Sequence, residues 1–168
     1  METMGKVLVI NHEKCTGCRL CELVCSVVHE GVSNPSRSRI KVIKWESEGL
    51  YVPVSCQQCQ DAPCMIVCPV KAISRDERLD FVKIDYDICI GCRACVSACP
   101  FGAMGFDVIA RKVIKCDLCD GDPQCARFCE IKAIEYVYAD SPSVLKKKEA
   151  AQRLSVAQKE AAVLQAQM

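Results

Sequence analysis

The 168 residues carry 22 basic and 21 acidic side chains, for a formal charge of +1, and no basic stripe lies outside the C-terminal tail, which argues against a nucleic-acid surface. Apolar residues make up 51% of the chain, but sixteen of them are cysteines and only 5% of the chain is aromatic, so the true apolar core is smaller than that figure suggests. No stretch approaches the roughly eighteen apolar residues needed to cross a membrane, and the start, Met1–Lys6, leads into only the short apolar run Val7–Ile10, too brief for a secretory leader.

Lys6–Ile10 reads as a strand and Asn11–Lys14 as a turn into the first cysteine group, Cys15, Cys18, Cys21 and Cys25. From Arg19 to His29 the apolar residues Leu20, Leu23, Val24, Val27 and Val28 suit a short helix packed on a sheet. Ser26 stands where a proline would stop that helix, so it is expected to run on. A polar loop, Ser33–Ser38, precedes an alternating stretch, Ile40–Trp45, that pairs with Leu50–Val54 as a predicted hairpin. Trp45 is expected to pack, with an interface anchor as the alternative.

The second group, Cys56, Cys59, Cys64 and Cys68, has two extra residues before its third cysteine; Pro63 presets the backbone there and Pro69 stops the following turn. Ala72–Ser74 and Phe81–Ile84 read as a hairpin delivering the chain to the third group, Cys89, Cys92, Cys95 and Cys99, which Pro100 closes. Gly102–Ile114 repeats that arrangement and leads to the fourth group, Cys116, Cys119, Cys125 and Cys129, where Glu130 replaces the proline. Ala133–Tyr138 is a predicted closing strand. One unit is therefore expected to be used twice along the chain, and this internal repeat is its main organising feature.

The tail differs in kind. Ser141-Pro142-Ser143 offers a cap and a first-turn proline, and residues 144–168 lack glycine and proline. Leu154, Ala157, Ala161, Leu164 and Met168 form one narrow apolar stripe on the helix predicted there. Lys146–Lys148 sit at the end of that helix where cations oppose its dipole, and contact with an acidic surface explains them better. Two uses stay open: docking on its own domain, or gripping another subunit or a second copy of the chain. The expected domains are 1–140 and 141–168.

The third group, with the spacing C-x2-C-x2-C-x3-C-P, carries the chemistry. At this spacing three thiolates converge on one iron-sulfur cube and the fourth, displaced onto the next helical turn, reaches another. Gly17 and Gly91, at matching positions, let the backbone wrap close and aim amides at the sulfurs. Sixteen thiols in four groups of four imply four [4Fe-4S] clusters. Structural zinc and a disulfide framework are the competing chemistries; repeated C-x2-C steps and the absence of a leader weigh against the second. Each oxidised cube with its thiolates brings about −2, so four of them turn the formal +1 into about −7. The fold is expected to depend on cluster binding for much of its stability. His12 and His29 are read as turn and helix-end residues rather than ligands. No catalytic triad, H-E-x-x-H or Gly-rich nucleotide loop accompanies the cysteines, so electron conduction without substrate chemistry is expected.

With four such quartets across residues 5–138, the chain resembles the four-cluster, ferredoxin-like electron-transfer subunits of molybdenum and tungsten oxidoreductases and of some hydrogenase and carbon monoxide dehydrogenase systems. It looks most like the small iron-sulfur subunit of bacterial tungsten-dependent aldehyde oxidoreductases. The resemblance implies an α+β fold of tandem bacterial-ferredoxin-like units with a pseudo-two-fold repeat. It pairs the outer motifs with each other and the inner motifs with each other. Carried onto this sequence, Cys15, Cys18, Cys21 and Cys129 would hold one cube and Cys116, Cys119, Cys125 and Cys25 another. Cys56, Cys59, Cys64 and Cys99 would hold a third, and Cys89, Cys92, Cys95 and Cys68 the fourth. It further implies a cytoplasmic relay between a tungstopterin or molybdopterin catalytic subunit and a flavoprotein subunit using a nicotinamide. A free-standing polyferredoxin is the alternative, and an iron-sulfur sensor or structural module is the reading from a different class.

Overall fold

A computed structural model describes residues 5–139, so the tail helix expected over 144–168 lies outside the described residues. Two units are distinguished among the described residues: Ile10–Glu135, and 5–9 with 136–139. In the smaller unit, the pairing of β1 (Lys6–Ile10) with β8 (Ile134–Tyr138) is extended by the Ala139 amide donating to the Gly5 carbonyl at 3.0 Å. Lys6 Nζ lies 4.9 Å from the centre of the Tyr138 ring.

The larger unit is built from three antiparallel hairpins and four short helices. β2 (Lys41–Trp45) pairs with β3 (Leu50–Val54), β4 (Ile73–Asp76) with β5 (Phe81–Ile84), and β6 (Met104–Asp107) with β7 (Lys112–Lys115). Each sheet has only two strands, which is why Pro53 is tolerated opposite Val42. Asp76 and Asp107 fold the last two hairpins over in the same way. Asp76 Oδ1 accepts from the amides of Arg78 and Leu79 at 3.0 and 3.1 Å, and Asp107 Oδ1 from Ile109 and Ala110 at 2.9 and 3.0 Å.

Each helix carries the third cysteine of one group: α1 (Leu20–Glu30), α2 (Pro63–Ile66), α3 (Ala94–Ala98) and α4 (Gln124–Arg127). Pro63 occupies the first turn of α2, where its missing N–H costs nothing. α1 runs through Ser26, as expected, because the hydroxyl donates to the Leu23 carbonyl at 2.8 Å and accepts from the Asn34 amide at 3.0 Å. It ends where Gly31 turns left-handed at φ 68°.

Two expectations are corrected. The buried residues of α1 are Glu22, Cys25 and Ser26, while Leu20, Val27 and Val28 are exposed. The helix turns its cysteine-bearing face inward, and Glu22 is accommodated there because its carboxylate accepts from the Val42 amide at 3.0 Å and pairs with Arg19. Trp45 is 44% exposed at the end of β2 and does not pack in the core.

The apolar core lies between the inner motifs, where Ala62, Ile73, Val82, Met104 and Val113 surround Cys64 and Cys95. A buried ionic cluster fastens the β6–β7 hairpin to the end of α1. Arg37 donates to Glu30 at 2.9 Å and to Asp107 at 2.6 Å, and Lys112 reaches Glu30 at 3.2 Å. Arg39 pairs with Asp117 at the start of the fourth motif. The loop read as merely polar thus contributes Ser38, buried and donating to the Ile40 carbonyl at 2.7 Å, and leads into a buried Arg39.

Candidate metal centres

Three small cavities are each lined by four cysteines, three from one motif and one from another. Cys68 joins Cys89, Cys92 and Cys95. Cys25 joins Cys116, Cys119 and Cys125. Cys99 joins Cys56, Cys59 and Cys64. Cys21, in the first turn of α1, follows closely on Cys15 and Cys18, and α1 packs against α4, which ends two residues before Cys129.

The local backbone explains the convergence. After the second cysteine of motifs one and three, Arg19 and Arg93 take left-handed conformations at φ 61° and 65°. Gly17 and Gly91 do the same at 69° and 67°. Between the first two cysteines of motifs two and four, Gln58 and Leu118 sit at 50° and 55°. Such positions turn successive amides toward one point and make a concave donor surface for an anion. The amide of Gln58 reaches Cys56 Sγ at 3.5 Å, that of Arg39 reaches Cys25 Sγ at 3.3 Å, and that of Ala72 reaches Cys68 Sγ at 3.2 Å.

The thiols fit a metal better than they fit each other. Burial pushes Cys21 and Cys116 up to about 12 and Cys119 up to about 11, and raises Cys125 further. Neighbouring thiols add to the rise at Cys125, while the Leu118 amide opposes it at Cys116. Four thiols held together and largely shielded from water cannot all ionise without a compensating cation, and iron supplies one. The donor set is therefore suited to a cube that binds thiolates and accepts backbone N–H bonds.

Residues 47–139 match the 4Fe-4S dicluster domain, and residues 8–27 match the 4Fe-4S binding domain. The chain belongs to the 4Fe-4S dicluster domain family. It is a ferredoxin-like electron-transfer protein, and its cofactors are [4Fe-4S] clusters. It is 43% identical over 122 residues to the polyferredoxin-like subunit of an aliphatic sulfonate oxidoreductase from Pyrococcus furiosus, covering 73% of this chain and 70% of that one. It is 43% identical over 148 residues to the putative electron transport protein YsaA of Escherichia coli K12, covering 79% and 89%. To the electron transport protein HydN of the same strain it is 37% identical over 158 residues, covering 78% and 87%. No helix among the described residues is long and apolar enough to cross a membrane.

Two residues stand beside the ferredoxin centres in ways the sequence did not reveal: His29, read only as a helix-end residue, and Lys115. His29 Nε2 lies 3.4 Å from Cys119 Sγ and 3.6 Å from Asp117 Oδ1. Burial, followed by the Arg39 charge, lowers its tendency to take up a proton, against the pull of Asp117. The available signal was its spacing: His29 is four residues after Cys25, hence on the same face of α1. Lys115 is the other, and it carried no sequence signal beyond its place immediately before Cys116.

Proposed function

We propose that this chain is the electron-relay subunit of an oxidoreductase complex. It carries single electrons through four [4Fe-4S] clusters between a tungstopterin or molybdopterin catalytic subunit, with aldehyde oxidation as the leading chemistry, and a flavin/NAD or other redox partner. The observation that carries this reading is the set of three cavities, each joining three cysteines of one motif to the fourth of another. The ligand sets that follow are Cys68 with Cys89, Cys92 and Cys95; Cys25 with Cys116, Cys119 and Cys125; Cys99 with Cys56, Cys59 and Cys64; and, by the same rule, Cys129 with Cys15, Cys18 and Cys21. When bound, the clusters supply one-electron storage with little rearrangement. The chain's own residues fix the sulfurs, aim amides at them and keep water from the buried thiolates.

A tandem ferredoxin-like repeat over residues 1–140 is part of the proposal. Cys68-Pro-Val-Lys71-Ala72-Ile73 and Cys129-Glu-Ile-Lys132-Ala133-Ile134 correspond in sequence, with Lys71 and Lys132 at φ 53° and 52°. The Ala72 carbonyl accepts from the Asp85 amide at 2.7 Å, four residues before Cys89. The Ala133 carbonyl accepts from Asn11 at 2.8 Å, four residues before Cys15.

The Pyrococcus relative, named as a subunit of an oxidoreductase, supports placement in a complex. The Escherichia coli relatives, named simply as electron transport proteins, favour the second reading, a free-standing polyferredoxin. Anaerobic affinity purification of the native protein, with iron, tungsten, molybdenum and flavin determined, separates the two. Tungsten or molybdenum on a co-purifying subunit, with about sixteen irons on this chain, is the expected result. A lone chain with the same iron and no partner would move the conclusion to the second reading.

A further inference from the structure

Lys115 ends β7 with only 3% of its surface exposed. All three of its ammonium donors are used, on the Val82 carbonyl, on the Cys116 carbonyl at 2.8 Å and on Gln58 Oε1 at 3.1 Å. Gln58 is itself fixed, since its Oε1 accepts from the Val82 amide at 2.9 Å and its Nε2 donates to the Cys116 carbonyl, also at 2.9 Å. The position of the charge is therefore built in. Among the described residues no carboxylate lies within ion-pair distance of it, and a buried cation without a counter-charge is costly.

Lys115 lines the cavity of Cys56, Cys59, Cys64 and Cys99. Its sequence counterpart, Ser55, immediately precedes Cys56 as Lys115 precedes Cys116, and Ser55 lines the other cavity, that of Cys25, Cys116, Cys119 and Cys125. Both are buried, Ser55 at 2%. The second and fourth motifs thus each send the residue before their first cysteine into the wall of the other's cavity, and only one of the two residues carries a charge.

We infer that Lys115 is a positioning residue that sets the order of potentials in the relay, holding the cube of Cys56, Cys59, Cys64 and Cys99 above its neighbour so that the electron rests there. The inference depends on the ligand sets proposed above. One-electron reduction makes a cube and its four thiolates more negative by one charge, with no bond broken and no proton required. A fixed cation in the wall stabilises the reduced form and raises the potential. The anionic cube is, in turn, the counter-charge that Lys115 otherwise lacks.

The test is an anaerobic dithionite titration of the holoprotein followed by electron paramagnetic resonance, on wild type, K115Q, K115M and K115R. Wild type must first show about sixteen irons and four one-electron couples; if it does not, the ligand sets fail before Lys115 is tested. K115Q or K115M with full iron is expected to lower one couple by at least tenfold in its reduced-to-oxidised ratio at fixed potential, about 59 mV for one electron. A second couple should fall by less, the other two should stay in place, and K115R should restore wild-type values. Loss of one cube in both neutral variants, with all four kept in K115R, would equally support a charge held against that cube. Unchanged potentials, a uniform shift of all four couples, K115R behaving like K115Q, or loss of all cubes in the neutral variants would overturn the inference and leave Lys115 a strut of the fold.

Discussion

Replacing Gly17 and Gly91 by alanine separates backbone strain from crowding, because the two glycines share a conformation and differ only in what surrounds them. Both are left-handed, at φ 69° and 67°, so a side chain at either costs about 1–2 kcal/mol in strain. A Cβ on Gly91 would make only ordinary contact, 3.5 Å from the Arg111 carbonyl oxygen. On Gly17 it would stand 2.5 Å from Tyr51 Cδ1 and 2.7 Å from Cγ, inside the ring's van der Waals surface. The ring is held by its hydroxyl, which donates to Glu46 at 3.2 Å, and by Lys44 at 5.4 Å from its centre, so it cannot retreat freely. Overpacking of this kind adds about 1–3 kcal/mol. The difference between the variants corresponds to a midpoint gap of roughly 0.3–0.7 M in guanidinium, taking a slope of about 4 kcal/mol per molar. Anaerobic guanidinium unfolding followed by cluster absorbance, at one exposure time for both, reads it. Combining G17A with Y51A should close most of the gap. Equal midpoints for G17A and G91A would refute the contact argument, since strain alone would then account for both.

Two further outcomes follow from the cavities and the ionic cluster. C99A should lose about four of sixteen irons, and alkylation with mass spectrometry should find Cys56, Cys59 and Cys64 newly reactive while Cys89, Cys92 and Cys95 stay protected; the reverse pattern would refute the crossed ligand sets. D107A removes a buried partner of Arg37, which keeps Glu30, so it should cost about 3 kcal/mol, at the low end for a broken buried pair. Although burial pushes the Asp107 carboxyl up, the amides of Ala110 and Ile109 and the Arg37 guanidinium hold it below the usual range. Its contribution is therefore complete above about pH 4 and disappears as pH falls through the lower folded value. The stability gap between wild type and D107A should narrow over that interval, and a gap that stays constant would exclude the charge as its source.

What could be read from the sequence was whatever repeats within a short window. The three hairpins and the helix through Ser26 follow from alternation, from turn residues and from a missing proline, and the structure places them at Lys41–Val54, Ile73–Ile84, Met104–Lys115 and Leu20–Glu30. The inward face of α1 was misjudged because apolar spacing usually marks the buried side, whereas here the buried side is chosen by Cys25, with Glu22 made tolerable by Val42, twenty residues away. The same limit hid Arg37, Arg39 and Lys115. Their partners at Asp107, Asp117 and Val82 are brought near only by the folded chain, and no local period encodes such pairs. Trp45 looked like a core residue by type alone, and a two-stranded ribbon offers its end no second layer to pack on.

The cavity joining Cys25 to Cys116, Cys119 and Cys125 also bears on the order in which the protein is made. The walls of the two inner cavities come from residues 56–115 and are complete while the last motif is still inside the ribosome. Cys25 has by then been outside for several seconds at ordinary rates of synthesis, its thiol waiting for partners that have not yet emerged. Cluster insertion in a growing chain would therefore run from the middle outward. A chain cut short before residue 116 would leave the first motif's thiols open to oxygen even where the inner centres had formed, so a cell making this protein has reason to destroy truncated copies quickly.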